Sequence, residues 1–111
     1  MQFLVIGKDG TDEKAMARRM AARDAHLKLG DEMEVLGNRW YGCVLLDDKG
    51  QMSGSMAVMD FSSRKELQEW LDREPYVTGD VWRTIEIYDC NVKTPWKFNR
   101  PQSFFEERKT E

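Results

Sequence analysis

The sequence predicts an α+β domain with element order β-α-β-β-α-β, the ferredoxin-like arrangement of an antiparallel sheet carrying two helices on one face. Three observations predict it. Four short runs of apolar or alternating residues read as strands. Two stretches rich in helix formers sit between the first and second and between the third and fourth of these. Gly, Asp, Ser or Pro residues punctuate the junctions. The 111 residues are the length of one domain.

Gln2 to Ile6 is a mainly apolar run suited to a central strand, and Lys8-Asp9-Gly10 ends it with turn chemistry. Thr11 or Asp12 is placed to cap a helix, Lys14 to Met20 are strong helix formers, and Met16 and Met20 share a face. Projected onward at about 100° per residue, Leu29, Met33 and Leu36 fall on a rotated face. The pattern therefore predicts a break near Arg23-Asp24, with Asp24 opening a second helical piece that Gly37 ends as a left-handed cap. Trp40 to Leu46 reads as a strand closed by the turn Asp47-Asp48-Lys49-Gly50, and Met52 to Phe61 as its partner, apolar on both faces from Met56 onward and so interior. Ser62 or Ser63 caps a second helix whose Leu67, Trp70 and Leu71 form a buried stripe at i, i+3, i+4. Pro75 disfavours helical geometry at Glu74 and should stop it there. Val81 to Tyr88 alternates as the last strand.

A chain of this size buries about two-thirds of its unfolded surface, so a partner that covers more of it adds stability. Trp40, Tyr41, Trp82 and several methionines exceed what two helices cover. An apolar sheet face left open marks an interface, and the sequence predicts a homodimer through that face. Residues 92 to 111 form a C-terminal extension in which Trp96, Phe98, Phe104 and Phe105 predict packing along the domain or a partner subunit, with the last five residues fraying.

Composition narrows the function. A net charge of −3 with scattered Lys and Arg argues against nucleic acid. No run approaches the ~20 apolar residues of a membrane span, and the first residues read as a buried strand rather than a signal peptide. Cys43 and Cys90 lack metal-type spacing and are too few for a disulfide framework, which predicts reduced thiols and a cytoplasmic location. With one histidine, a dedicated zinc site is not expected, and no cofactor is needed.

The segment ARRMAARDAHL, residues 17 to 27, resembles the signature of the YciI-like (YCII-related) family. MQFLVIGKDG resembles that family's opening strand and turn. GSMAVMDFSSRKELQEWLDREPYVTGDVW resembles its Gly-Ser strand, second helix, Asp-Pro-Tyr-Val turn and Gly-x-Val-aromatic element. The resemblance covers residues 1 to 91. It implies a dimeric α+β barrel, two such sheets packed face to face, and a cleft with a histidine and an acid in acid/base roles. The histidine carries over to His26. The acid falls on Glu74, one methylene longer than the family's aspartate, and Cys43 stands where proline commonly follows the glycine matched by Gly42. The family's chemistry includes dehydrochlorination of a chlorinated hydroxyquinol, and muconolactone isomerase shares the barrel.

The candidate catalytic residues are thus His26 and Glu74, and the candidate substrate contacts Ser55, Tyr76, Arg23 and Trp82. His26, placed near the start of the second helical piece, would be kept neutral by the positive end of the helix dipole and act as a general base. The same residue also reads as a satisfied core or interface histidine. Glu74 also reads as an ordinary exposed helix-end glutamate, and Asp47, Asp60 and Asp80 are alternative partners for His26. No Gly-x-Ser-x-Gly elbow surrounds Ser55, which argues against a nucleophilic serine. Cys43 reads as buried and inert, and Trp40, Tyr41 and Trp82 as dimer core more than as ligand platforms. The leading expectation is a small enzyme of proton-transfer chemistry, of isomerase, lyase or dehalogenase type, acting on a small metabolite in a dimer cleft. The alternative is a non-catalytic small-molecule-binding or protein-interaction module, favoured by the change to Glu74.

Overall fold

Strand β1 (Gln2–Asp9) pairs antiparallel on both sides, with β3 (Met52–Asp60) and β4 (Trp82–Cys90), while β2 (Arg39–Leu46) pairs with the far edge of β3. The resulting sheet order, β2-β3-β1-β4, is the ferredoxin-like one expected. The structure, a computed structural model, describes residues 1–94 together with Ser103 and Glu106. The four aromatic residues of the C-terminal extension, and the expectation that they pack on the domain or a partner, lie outside the described residues.

Alternation divides the sheet into two faces. On one, Phe3 lies opposite Met59 and Val5 opposite Ala57. Phe3, Val5 and Met59 join Leu29, Met33 and Leu67 in the core, so this is the face that α1 (Ala15–Val35) and α2 (Arg64–Arg73) cover. On the other face a row runs across all four strands: Tyr41 opposite Val58, Val58 opposite Leu4, Leu4 opposite Tyr88. Tyr41 and Tyr88 remain 49% and 50% exposed, so this apolar row is open. Cys43, in the next row beside Met56, is exposed too. The expectation of a buried thiol is corrected: it presumed a strand covered on both faces, whereas β2 is an edge strand facing the open side. Trp40, by contrast, is buried within the chain, its indole Nε1 donating to the Gly37 carbonyl at 3.1 Å.

Helix α1 runs unbroken through the point where the sequence predicts a kink. Its less exposed positions between Arg19 and Met33 are Arg19, Ala22, His26, Leu29, Gly30 and Met33; all but Gly30 are spaced 3, 4, 3, 4 along one inward stripe, and Gly30 adjoins it. The helix starts later than expected, with Lys14 at the N-cap. The Asp12 carboxylate accepts from the Lys14 amide at 3.3 Å and from both terminal nitrogens of Arg18, at 2.8 and 2.6 Å. Met16 and Met20 point outward, 38% and 52% exposed. The C-terminus ends as expected: Gly37 has φ +82°, the Asn38 amide donates to the Met33 carbonyl and the Gly37 amide to that of Glu34, which is a Schellman motif.

Ser63 caps α2, accepting from the Glu66 amide at 3.2 Å, while the Glu66 carboxylate accepts from Ser62. The stripe Leu67, Trp70, Leu71 is buried as predicted. Pro75 stops α2 at Glu74, whose ψ of 121° is extended. It also does something the sequence reading omits: it opens a further turn of helix, α3 (Pro75–Thr78), from the first position, where its fixed φ fits and its missing N–H has no partner to lose.

Candidate functional site

Between the inward stripe of α1, the β2–β3 side of the sheet and the α2–α3 junction lies a cleft of about 280 Å³. Among its walls are Arg23, His26, Ser55, Glu74, Tyr76 and Trp82, the six residues singled out from the sequence. All six converge on it.

The α2–α3 junction explains why Glu74 points inward. As the residue between two helical segments it is C-cap of one and N-cap of the next, and its carboxylate accepts from the Tyr76 amide at 3.1 Å. The side chain is 1% exposed, and the same Oε1 is hydrogen-bonded to Nδ1 of His26. The extra methylene relative to aspartate therefore does not break the contact. Asp47, Asp60 and Asp80 are engaged elsewhere, with turn amides, the chain's N-terminal ammonium and Arg83 respectively.

The His26 ring stacks on Tyr76, centroids 3.8 Å apart and planes 10° from parallel, and Trp82 meets both rings edge-on. The helix-dipole expectation is corrected. His26 sits in the middle of α1, and the dipole acts only within the first and last turns. What fixes the imidazole is the carboxylate at Nδ1 and the phenol at its face, leaving Nε2 as the ring nitrogen not engaged by Glu74.

A second buried group, which the sequence reading passed over, braces this one. Arg19 is 3% exposed; its Nη1 lies 2.9 Å from both oxygens of Asp9, and its Nη2 donates to the Gly54 carbonyl (3.2 Å) and Ser55 Oγ (3.1 Å). Its guanidinium carbon lies 4.7 Å from the centroid of Tyr76, so the phenol packs against both a cation and the imidazole. The signal was present: Arg19 is seven residues before His26, on the same helical face, and Asp9 was read only as turn punctuation.

Ser55 Oγ also accepts from Trp82 Nε1 at 3.3 Å. Both lone pairs of the hydroxyl are then used and its O–H is what remains to offer. That is the wrong state for a nucleophile and a suitable one for a ligand donor. Trp82 reaches the serine because Gly7 lies beneath the indole: a Cβ there would stand 2.2 Å from Cδ2. Trp82 is thus buried in this chain's own site rather than on the open face, where the sequence reading placed it by preference. Burial pushes the Tyr76 phenol above its ordinary value, against the opposing pull of Arg19 and Arg23. Among the described residues no cluster of His, Cys, Asp and Glu has the makings of a metal site, and no helix is long and apolar enough to cross a membrane.

Against known proteins, this geometry has relatives. Protein YciI of Escherichia coli O6:H1 (strain CFT073) is 28% identical over 93 residues, 78% of this chain and 93% of that protein, and Protein YciI of Shigella flexneri matches equally. Among solved structures, 5-chloro-2-hydroxyhydroquinone dehydrochlorinase (TftG) from Burkholderia phenoliruptrix AC1100, in complex with 2,5-dihydroxybenzoquinone, aligns with a TM-score of 0.72 at 19% identity, over 85% of this chain and 97% of that one. A dimeric ferredoxin-like protein of unknown function from Jannaschia sp. CCS1 aligns with a TM-score of 0.52 at 13% identity, over 82% and 98%. At these identities the structural likeness shows the fold. The family is shown by sequence: the YCII-related domain profile matches residues 1–91, and the chain belongs to the YCII-related family.

Proposed function

We propose that this protein is a cytoplasmic enzyme of acid/base proton transfer, working as a homodimer on a small metabolite, with His26 as the acid/base and Glu74 as its orienting partner. One observation carries the reading: Nδ1 of His26 is bonded to a carboxylate that is 1% exposed. An ionised carboxylate only accepts, so Nδ1 carries the proton and Nε2 keeps its lone pair for a substrate hydrogen. When Nε2 takes a proton from a carbon beside a carbonyl, the C–H pair passes into an enolate and the imidazolium is stabilised by Glu74. Returning the proton to another carbon is isomerisation; expulsion of a halide by the same electron pair is dehydrohalogenation. Ser55, Tyr76, Arg23 and Trp82 position the substrate. The open row of Tyr41, Val58, Leu4 and Tyr88 supports pairing of two copies of this chain through their sheets, and the Jannaschia protein of similar fold is a dimer. Two free cysteines support a reducing compartment.

The test follows chloride release from 5-chloro-2-hydroxyhydroquinone, alongside deuterium incorporation from D2O into a panel of small enolisable ketones and hydroxyquinones. The wild type should turn over at least one of them, and His26→Ala should lower that rate by about 10²- to 10⁴-fold. Full turnover by His26→Ala sinks the assignment. Binding of 2,5-dihydroxybenzoquinone with no turnover of any compound makes the domain a small-molecule-binding module instead.

A further inference from the structure

We infer that the cleft is built for an organic anion, and that Arg23 and Arg39 hold a carboxylate of the substrate. The inference names a substrate class for the site proposed above and rests on the same cleft, but not on the proton transfer.

Charge is the first argument. The cleft is lined by three arginines, Arg19, Arg23 and Arg39, and by one carboxylate, Glu74. Arg19 is matched by Asp9. Arg39 has one carboxylate near it, Glu34 at 3.6 Å, and with about a third or more of each side chain open to solvent (31% and 42%) such a pair contributes little. The Arg23 side chain makes no hydrogen bond or ion pair among the described residues. Leaving His26 aside, two cations, Arg23 and Arg39, face one buried anion, in a chain whose net charge is −3. A cleft of the opposite sign to its protein draws small anions to itself.

Hydrogen-bonding capacity is the second. Ser55 has spent both acceptor pairs and has only an O–H to give. The Tyr76 hydroxyl makes no hydrogen bond among the described residues, and burial keeps it protonated, so it too is a donor. Arginine never accepts. A ligand that satisfies this lining must be rich in acceptors.

The third is the space given to Arg39. Its guanidinium lies across bare backbone at Gly42, where a Cβ would come within 2.3 Å of Nη2, and a Cβ on Gly30 of α1 would be 3.9 Å from the same group. Glycine at position 42 lets the guanidinium lie flat in the cleft wall, whereas a Cβ at Gly30 would make only ordinary contact with it; the flat fork is the shape that pairs with a carboxylate in two parallel bonds.

The test titrates acetate, benzoate and salicylate, each against its neutral amide, following the Trp82 indole resonance. At least one carboxylate should bind about tenfold or more tightly than its amide. That preference should fall toward unity in Arg23→Gln/Arg39→Gln and survive in His26→Ala, which stops the proposed chemistry. In the unmodified protein added salt should weaken the carboxylate and leave the amide unchanged, which keeps the test decisive if the double variant folds poorly. If no carboxylate outbinds its amide, including the case where none binds, or if the preference ignores salt and persists without both arginines, the anion assignment is wrong. Loss of turnover in His26→Ala with anion preference intact would uphold both readings; preference without turnover in any variant would uphold this one alone.

Discussion

Helices α1 and α2 cover the same face of the same sheet, yet they bury opposite chemistry. The inward side of α2 is Leu67, Trp70 and Leu71, all at most 5% exposed, and it joins Phe3, Phe61 and Met59 without a polar atom to satisfy beyond the indole nitrogen. The inward stripe of α1 carries Arg19 and His26 where a scaffold helix would place leucines. Each of these needs a buried carboxylate beneath it, Asp9 for one and Glu74 for the other. Burying an ion pair gains little or nothing over an apolar pair of the same volume. The contrast therefore assigns work: α2 and the end of α1 at Leu29 and Met33 hold the fold, and the first half of α1 gives up stability to present a site.

Breaking the polar half should reveal that sacrifice most sharply. Arg19→Met leaves Asp9 buried and unpaired and should cost about 3–5 kcal/mol in urea unfolding, while Arg19→Met with Asp9→Leu should recover most of the loss. Both variants should lose ligand binding, because Ser55 and Tyr76 lose the guanidinium that braces them. A double variant as unstable as the single would mean that the pair is a structural asset and that the contrast with α2 is wrong. On the apolar half, Leu67→Ala should cost about 2–5 kcal/mol by leaving a cavity. The residual folded protein should keep the His26–Glu74 contact, visible as an unchanged imidazole ¹⁵N pattern.

A smaller change probes the boundary between the halves. Gly7→Ala places a methyl 2.2 Å from the Trp82 indole, so the ring must move off Ser55. Overpacking of this kind costs about 1–3 kcal/mol, and the displaced indole should shift its fluorescence. Wild-type emission with unchanged stability would mean that Trp82 is not held against the strand.

The same contrast explains what was legible in the sequence. The strands, the caps of α2, the Gly37 terminus and the sheet order follow from local patterns, because there apolar periodicity and turn chemistry agree with the fold. The predicted kink failed for a physical reason. Counting only apolar residues took the outward-pointing Met16 and Met20 as the reference face and skipped Arg19 and His26, the inward positions occupied by site residues, so Leu29 and Met33 looked rotated. The error marked the site. His26, Glu74, Ser55, Tyr76, Arg23 and Trp82 were legible through family resemblance, and the structure places them around one cleft. Asp9 and Arg39 were not legible, since nothing in their neighbourhoods distinguishes a buried or cleft-facing charge from a solvated one, and Arg19 was legible only through its seven-residue spacing from His26. Only the strand register and the helix phase bring Asp9 beneath Arg19.

Tyr76 joins the two halves, and its titration offers the gentlest test. Its phenol lies between the Arg19 guanidinium and the His26 ring, and burial raises its value above the ordinary one, near pH 10. The native chain then holds a proton that the unfolded chain has released. From about pH 10 upward the folded state binds more protons, so stability falls as pH rises, whereas below that the contribution is constant. Tyr76→Phe removes the titrating group and should flatten that alkaline decline. Tyr88 shifts in the same direction through its hydrogen bond to Glu86, at 2.6 Å, but it is half-exposed, so Tyr88→Phe should alter the slope less. Parallel declines for wild type and Tyr76→Phe would mean that the phenol is solvated. The stacked arrangement that fixes His26 would then lose its support.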